Sequence, residues 1–250
     1  MPRLSKVLPL AVAVFVVALA VFLASCTSSN TQYRIFNAMA FNPQYAVDIY
    51  VGVAPPATAT FTDVGLESTE PGSSGYQKVS AGADTTEVFQ TGTTSNPYFN
   101  GALNLGAGNS YTVVLSGNGV AAPFAAQVVT DTNPTPTSGE VEFRILDFSP
   151  STQAVDVYVG DPQFGCCPSA AKVGSDLSYP SSTGGGSFNS GYVNVGVPTS
   201  NQLGVYVTYT ESTDVIAQTS YSVTVGQLYT VVLLDQSGGG SPPQLALLTP

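Results

Sequence analysis

The feature that most constrains this chain is an internal repeat. Arg34-Ile35-Phe36-Asn37, followed by Ala46-Val47-Asp48-Ile49-Tyr50-Val51-Gly52, returns as Arg144-Ile145-Leu146-Asp147 followed by Ala154-Val155-Asp156-Val157-Tyr158-Val159-Gly160. Gly75-Tyr76-Gln77-Lys78-Val79 is echoed by Gly191-Tyr192-Val193-Asn194-Val195, and Tyr111-Thr112-Val113-Val114-Leu115 by Tyr229-Thr230-Val231-Val232-Leu233. The order is the same in both halves, so the chain must build one kind of core twice, in units of about 110 residues, the commonest size for a single domain. The expected boundaries are 32–130 for the first repeat and 140–250 for the second. The second carries extra residues around Phe164 to Lys172 and Ser181 to Ser187. Segment 131–139, Asp-Thr-Asn-Pro-Thr-Pro-Thr-Ser-Gly, reads as a short, fairly stiff linker that sets the two units end to end or bent within limits.

Periodicity fixes the fold class. Val47, Ile49 and Val51 alternate with Asp48 and Tyr50, the period of a half-buried strand, and Val155, Val157 and Val159 repeat it. Tyr111–Leu115 and Tyr229–Leu234 are β-branched and continuous, as interior strands are, while Phe124–Val129 and Gln244–Leu248 supply closing strands. No segment after residue 31 sustains a helical period, and Gly or Pro interrupts nearly every candidate. The expected fold is all-β: two tandem antiparallel β-sandwich domains, immunoglobulin-like, of about seven strands each, following an N-terminal signal-peptide helix. Leu105-x-x-Gly108-x-x-Tyr111 and Val223-x-x-Gly226-x-x-Tyr229 have the form of a tyrosine corner, in which a hydroxyl ties down the preceding loop.

The N-terminus gives the expected address. Arg3 and Lys6 flank an apolar run from Val7 to Leu23, broken only at Pro9, and Leu23-Ala24-Ser25-Cys26 ends it. That is the form of a secretory signal, and the tetrapeptide resembles the bacterial lipobox, which implies a signal peptide over 1–25 and a lipidated Cys26 opening a polar tether over 26–31. Membrane attachment is then through the lipid on Cys26. Thr27 is not the aspartate that retains lipoproteins at the inner membrane, which favours the outer membrane in a host that has both. After Cys26 the chain keeps four basic residues, Arg34, Lys78, Arg144 and Lys172, against 16 acidic ones. Such a surface repels phosphate backbones and excludes nucleic acid as a partner; an envelope glycan or protein is the partner class left.

The paired blocks, with Ala-Val-Asp-Ile/Val-Tyr-Val-Gly early and Gly-x-x-Tyr-Thr-Val-Val late, resemble the bacterial family called domain of unknown function 4397, often found in tandem on exported proteins. The resemblance implies a β-sandwich and an envelope location, and no activity. The first repeat departs from the pattern in its opening loop, where Met39-Ala40-Phe41-Asn42-Pro43 stands in place of Ser149-Pro150.

The chemistry is narrowed mainly by what is missing. With no histidine, Ser-His-Asp and Cys-His catalysis and His-ligated metals are excluded. No calcium-loop run is present, and Thr183-Gly184-Gly185-Gly186-Ser187 lacks the lysine and helix of a phosphate loop. No catalytic residue, metal site or cofactor is therefore expected; the alternative is an envelope carbohydrate-active hydrolase using paired carboxylates. Asp48 and Asp156 recur through duplication, and their expected role is a cross-strand ion pair with Arg34 and Arg144. Adjacent Cys166 and Cys167 can close a disulfide within the Phe164–Lys172 insertion, pair with another molecule, or stay reduced. Tyr50 and Tyr158, on the outward side of their strands, form the candidate binding surface, because tyrosine offers a flat apolar face with a polar tip.

Overall fold

A computed structural model describes residues 31–41, 43, 45–72, 75–132, 134–167, 169–182 and 191–248. The signal segment, Cys26, all of the tether but Thr31, and 183–187 of the second insertion lie outside the described residues. No helix occurs among the described residues, and the all-β expectation holds.

The first repeat runs β1 (Gln32–Asn37), β2 (Val47–Val51), β3 (Phe61–Val64), β4 (Thr69–Glu70), β5 (Gln77–Lys78), β6 (Gly82–Gln90), β7 (Phe99–Leu105), β8 (Ser110–Ser116) and β9 (Ala125–Thr130). The second runs β10 (Glu140–Phe148), β11 (Val155–Gly160), β12 (Ala171–Leu177), β13 (Ser181–Ser182), β14 (Val193–Gly196), β15 (Gln202–Tyr209), β16 (Val215–Ser222), β17 (Leu228–Leu234) and β18 (Gln244–Leu248). The strands beyond the expected seven per repeat include the two-residue β4, β5 and β13. Each repeat pairs two sheets in one topology: β4-β1-β8-β9 over β3-β2-β6-β7, and β13-β10-β17-β18 over β12-β11-β15-β16. One feature departs from an antiparallel sandwich. β1 runs parallel to β8, and β10 parallel to β17.

Alternation along these strands explains the packing. Tyr33 and Ile35 of β1 and Val113 and Leu115 of β8 point into the core of the first repeat, against Val47, Ile49 and Val88. Phe143 and Ile145 of β10 and Val231 and Leu233 of β17 do the same in the second, against Val155, Val157 and Val205. The intervening residues point the other way, and they too are buried. Phe36, Val114 and Val129 meet Leu146, Phe148, Val232, Leu234 and Leu248 in a third core between the repeats. That is why β8 and β17 read as largely continuous apolar runs, and why β1 and β10 are buried almost along their whole length: both faces of all four are covered.

The end-to-end arrangement expected from the linker is thus corrected: the repeats lie side by side, their inner sheets stacked face to face. The cause lies in the outward-facing apolar positions, which a proline-rich spacer cannot override because covering them removes a large apolar area from water. The linker is itself drawn into this seam. Asp131 accepts hydrogen bonds from Tyr76 Oη (2.8 Å) and Thr112 Oγ1 (2.7 Å) of the first repeat, and a salt bridge from Arg144 Nη2 (2.8 Å) of the second.

Both tyrosine corners form. The Tyr111 hydroxyl accepts from Gly106 N at 2.8 Å, and the Tyr229 hydroxyl from Thr224 N at 2.8 Å.

Candidate functional site

Strand direction decides which loops meet. β1 leaves Thr31 at one pole, where the Thr31 hydroxyl donates to Gly106 O and accepts from Gly108 N. It reaches the opposite pole at Ala40, whose N–H donates to Gly117 O. There the opening loop of the first repeat, its β6–β7 and β8–β9 loops, and two loops of the second repeat border a cleft of about 600 Å³.

One wall is aromatic. Phe41 sits at its centre, with ring centroids 4.9 Å from Tyr98, 5.5 Å from Phe124 and 6.2 Å from Tyr45; Tyr98 and Phe124 lie 5.1 Å apart. Tilted and edge-on contacts at these separations are the favoured geometry for aromatic pairs. Phe41 is buried and Tyr45 exposed, so the cluster is rooted in the core and open at its rim.

The other wall is a polar latch between the repeats. Asn118 Oδ1 accepts the N–H groups of Val120 (3.0 Å), Ala121 (2.7 Å) and Ala122 (3.3 Å), shaping the loop whose tip, Val120, is 94% exposed. Asn118 Nδ2 crosses the seam to Asp235 Oδ2 and Ser151 Oγ, both at 2.9 Å. Asp235 also accepts from Ser149 Oγ (2.6 Å), Ser151 Oγ (2.7 Å) and Ser151 N (3.3 Å), so its buried charge is fully met by donors. Gly117 fits because a Cβ there would stand 2.3 Å from Pro123 O, at a φ of +103°.

Asp147 lies behind this latch. Its Oδ1 accepts from Ser149 N at 3.0 Å, while its buried Oδ2 has no hydrogen-bond partner. Burial raises its pKa to about 7, opposed by the Ser149 bond and reinforced by the nearby Asp235 charge.

The residues singled out by sequence fall elsewhere. Tyr50 lies on the outward side of β2, yet it is only 5% exposed and packs edge-on against Phe89 at 5.6 Å, so it offers no free face for contact. Its diagonal neighbour across the β2–β6 pairing is large enough to cover it. Tyr158 is half-buried, with Lys172 Nζ 5.2 Å from its ring centre. The two tyrosines do not converge.

Asp48 and Asp156 do not pair with Arg34 and Arg144, because β1 and β10 belong to different sheets from β2 and β11. Each aspartate instead holds loop backbone. Asp48 accepts from Asp63 N and Gly92 N at 3.0 Å, and Asp156 from Asp176 N at 3.0 Å and Lys172 Nζ at 2.7 Å. Asp63 and Asp176 sit at irregularities of β3 and β12 with positive φ, where the ladder supplies no partner for their N–H groups. Burial works against the Asp156 charge, but these bonds outweigh it and hold its pKa below the ordinary carboxylate value. The arginines face the seam: Arg34 Nε donates to Thr112 Oγ1 at 2.9 Å, Arg144 Nε to Thr230 Oγ1 at 3.2 Å, and each guanidinium stacks on a tyrosine, Tyr76 or Tyr192.

Cys166 and Cys167 are bonded to each other in the insertion, beside Phe164, which is 67% exposed. Among the described residues no three of Asp, Glu and Cys converge as a metal site.

Fold and site together define a repeated β-sandwich protein with an aromatic cleft at the seam of its two units. The chain belongs to the family of the domain of unknown function (DUF4397), whose sequence model matches residues 31–158, the first repeat together with the linker and the opening of the second. No curated protein matches it. Among solved structures, the TIE protein of Bacillus anthracis is similar at 8% identity and a TM-score of 0.23, covering 82% of this chain and 34% of its own. A leucine-rich repeat protein from Bacteroides thetaiotaomicron is similar at 12% identity and a TM-score of 0.17, covering 87% of this chain and 26% of its own. The chain thus spans about a third or less of the length of these structures.

Proposed function

We propose that this chain is an exported, lipid-anchored and non-catalytic binding protein of the cell envelope, built from two tandem copies of the family domain, with the seam cleft as its contact surface. The cleft carries the reading. It is a concave, largely apolar site of the size that small ligands and partner side chains occupy, and nothing in the packing of either sandwich requires it. It also lies at the pole opposite Thr31. The six residues of β1 span about 20 Å between the two poles, so a chain tethered through Cys26 would present the cleft away from the membrane. The lipobox-like tetrapeptide and Thr27 support attachment at the outer membrane in a host that has both membranes.

Paired-carboxylate hydrolysis is the weaker reading. It needs two acids flanking one bond, and none of the described residues lining the cleft carries a carboxylate.

The test uses the soluble form, Thr27 to Pro250, as bait against envelope fractions separated into glycan, protein and lipid, with a Tyr45→Ala/Tyr98→Ala variant beside it. Saturable capture of one fraction, lost in the variant, is the expected outcome. Capture that survives the variant would move the contact surface off the cleft, and no capture would sink the binding reading. Full-length chain and its Cys26→Ser variant are fractionated in the same experiment, and only the first is expected with the membranes.

A further inference from the structure

We propose that the cleft accepts a small, uncharged, ring-bearing apolar ligand, and that glycans, ions and extended peptides are poor occupants. This deepens the reading above and rests on the cleft being the contact surface.

Charge excludes ions. The chain carries a formal net charge of −10, yet no lining residue of the cleft is charged. The nearest carboxylate, Asp235, is buried behind Asn118 and Ser151 and already taken up by their hydrogen bonds, so an ion entering the cleft would give up hydration for no direct partner, a cost of several kcal/mol. A cation held between aromatic faces is excluded by geometry as well. The four rings touch one another at centroid separations of 4.9 to 6.2 Å, leaving no gap among them for a cation to enter. They form a continuous wall instead.

Hydrogen-bond capacity excludes glycans and extended peptides. The polar side chains at the cleft floor are already engaged. Asn118 uses both amide protons across the seam and its oxygen on three backbone N–H groups. Ser151 Oγ donates to Asp235 and accepts from Asn118, and Gly239 N donates to Gln236 O. A sugar ring would bury hydroxyls against this saturated floor, each left unpaired at about 1–3 kcal/mol. An extended peptide would strand its N–H and C=O groups the same way.

What the site does offer is a mosaic of ring faces and edges, which an aromatic or alicyclic ligand can continue in offset or edge-to-face contact. The volume of about 600 Å³ is that of a small-ligand site. The Asn118–Asp235 latch fixes the loop opposite the rings before any ligand arrives, so little ordering cost falls on binding.

The probe is phenylnaphthylamine, a neutral ring compound that fluoresces when it leaves water, titrated into the chain from Thr27 to Pro250, which contains every residue of the three cores. Saturable enhancement at one site per chain is expected, unchanged between low salt and 0.5 M salt, on the order of a fivefold range of screening length. Ala121→Trp, which fills the cleft from a loop held by backbone bonds, should weaken binding at least tenfold. Tyr98→Leu does so from the opposite wall should the first variant fold poorly, and Phe164→Ala, an exposed ring remote from the cleft, should change nothing. Non-saturating fluorescence, equal binding in the Ala121→Trp and Tyr98→Leu variants, or displacement by soluble envelope oligosaccharides would overturn the proposal. If envelope capture depends on Tyr45 and Tyr98 while the probe does not bind, this inference fails and the binding reading stands.

Discussion

The two repeats part company at one corner, the loop that follows the first strand. In the first repeat nine residues separate Asn37 from Val47, and they carry a buried Phe41 and an exposed Tyr45 to the cleft; in the second, seven separate Asp147 from Val155, and Ser149 and Ser151 fold back onto Asp235. The pairing registers place Gly117 of the first repeat where the second has Asp235, so the carboxylate that organises one corner is missing from the other. One corner closed on a buried charge, and the other opened into an aromatic wall. Neither makes a cleft alone. Phe41 and Tyr45 need Ser151 and the glycines at 238–240 opposite them, and side-by-side stacking brings the divergent corners together. The shared topology supplies the frame; its unequal ends supply the cleft.

The sharpest way to break the comparison is to part the repeats. Arg144→Met leaves Asp131 buried without its ion pair, an expected loss of about 3–5 kcal/mol, read as a fall in the denaturation midpoint. The cleft should be lost with it, and a variant that melts lower but still captures its fraction would show that one repeat suffices.

Next in size is Asp147→Asn, which copies Asn37, whose Nδ2 donates to Val64 O at 3.0 Å. The folded pKa of Asp147 is raised to about 7 from an ordinary value of 3.8, so the fold holds a proton that the unfolded chain releases. Its contribution is therefore full below about pH 4 and is lost as pH rises to about 7. The amide does not titrate. The variant should gain about 3 kcal/mol over wild type at pH 7.5 and little at pH 4, measured by melts across that range; equal pH slopes in both proteins would contradict it.

Smallest are Tyr111→Phe and Tyr229→Phe, each expected to cost about 1 kcal/mol. Their corners are built alike, so a large inequality between the two would mean that the repeats diverge in more than the opening loop.

The frame was legible in the sequence because it rests on local period and repetition. β18 was bounded correctly at Gln244–Leu248, and the continuous runs at Tyr111 and Tyr229 were read as interior. What covers those runs was not legible, since Phe36 and Leu146 look the same whether they face a second sheet of their own domain or a neighbouring one. The aspartates were recognised as structural but given the wrong partners, because an N–H left over at an irregularity has no sequence signature. The cleft was half visible. The irregular loop at Met39–Pro43 was noticed, but Tyr98 and Ser151 join it only through contacts that no periodicity encodes. Asp131 was hidden for the opposite reason, since a linker composition says nothing about a single buried carboxylate.

The parallel pairing of β1 with β8 has a mechanical consequence. β1 connects the Thr31 pole to the cleft loop directly, and its six pairs with β8, from Gln32–Ser110 to Asn37–Leu115, lie along that line. A pull between a captured partner and the Thr31 end therefore loads these hydrogen bonds in shear, all together, instead of peeling them one by one. The strand that positions the cleft is also the cable that would bear its tension.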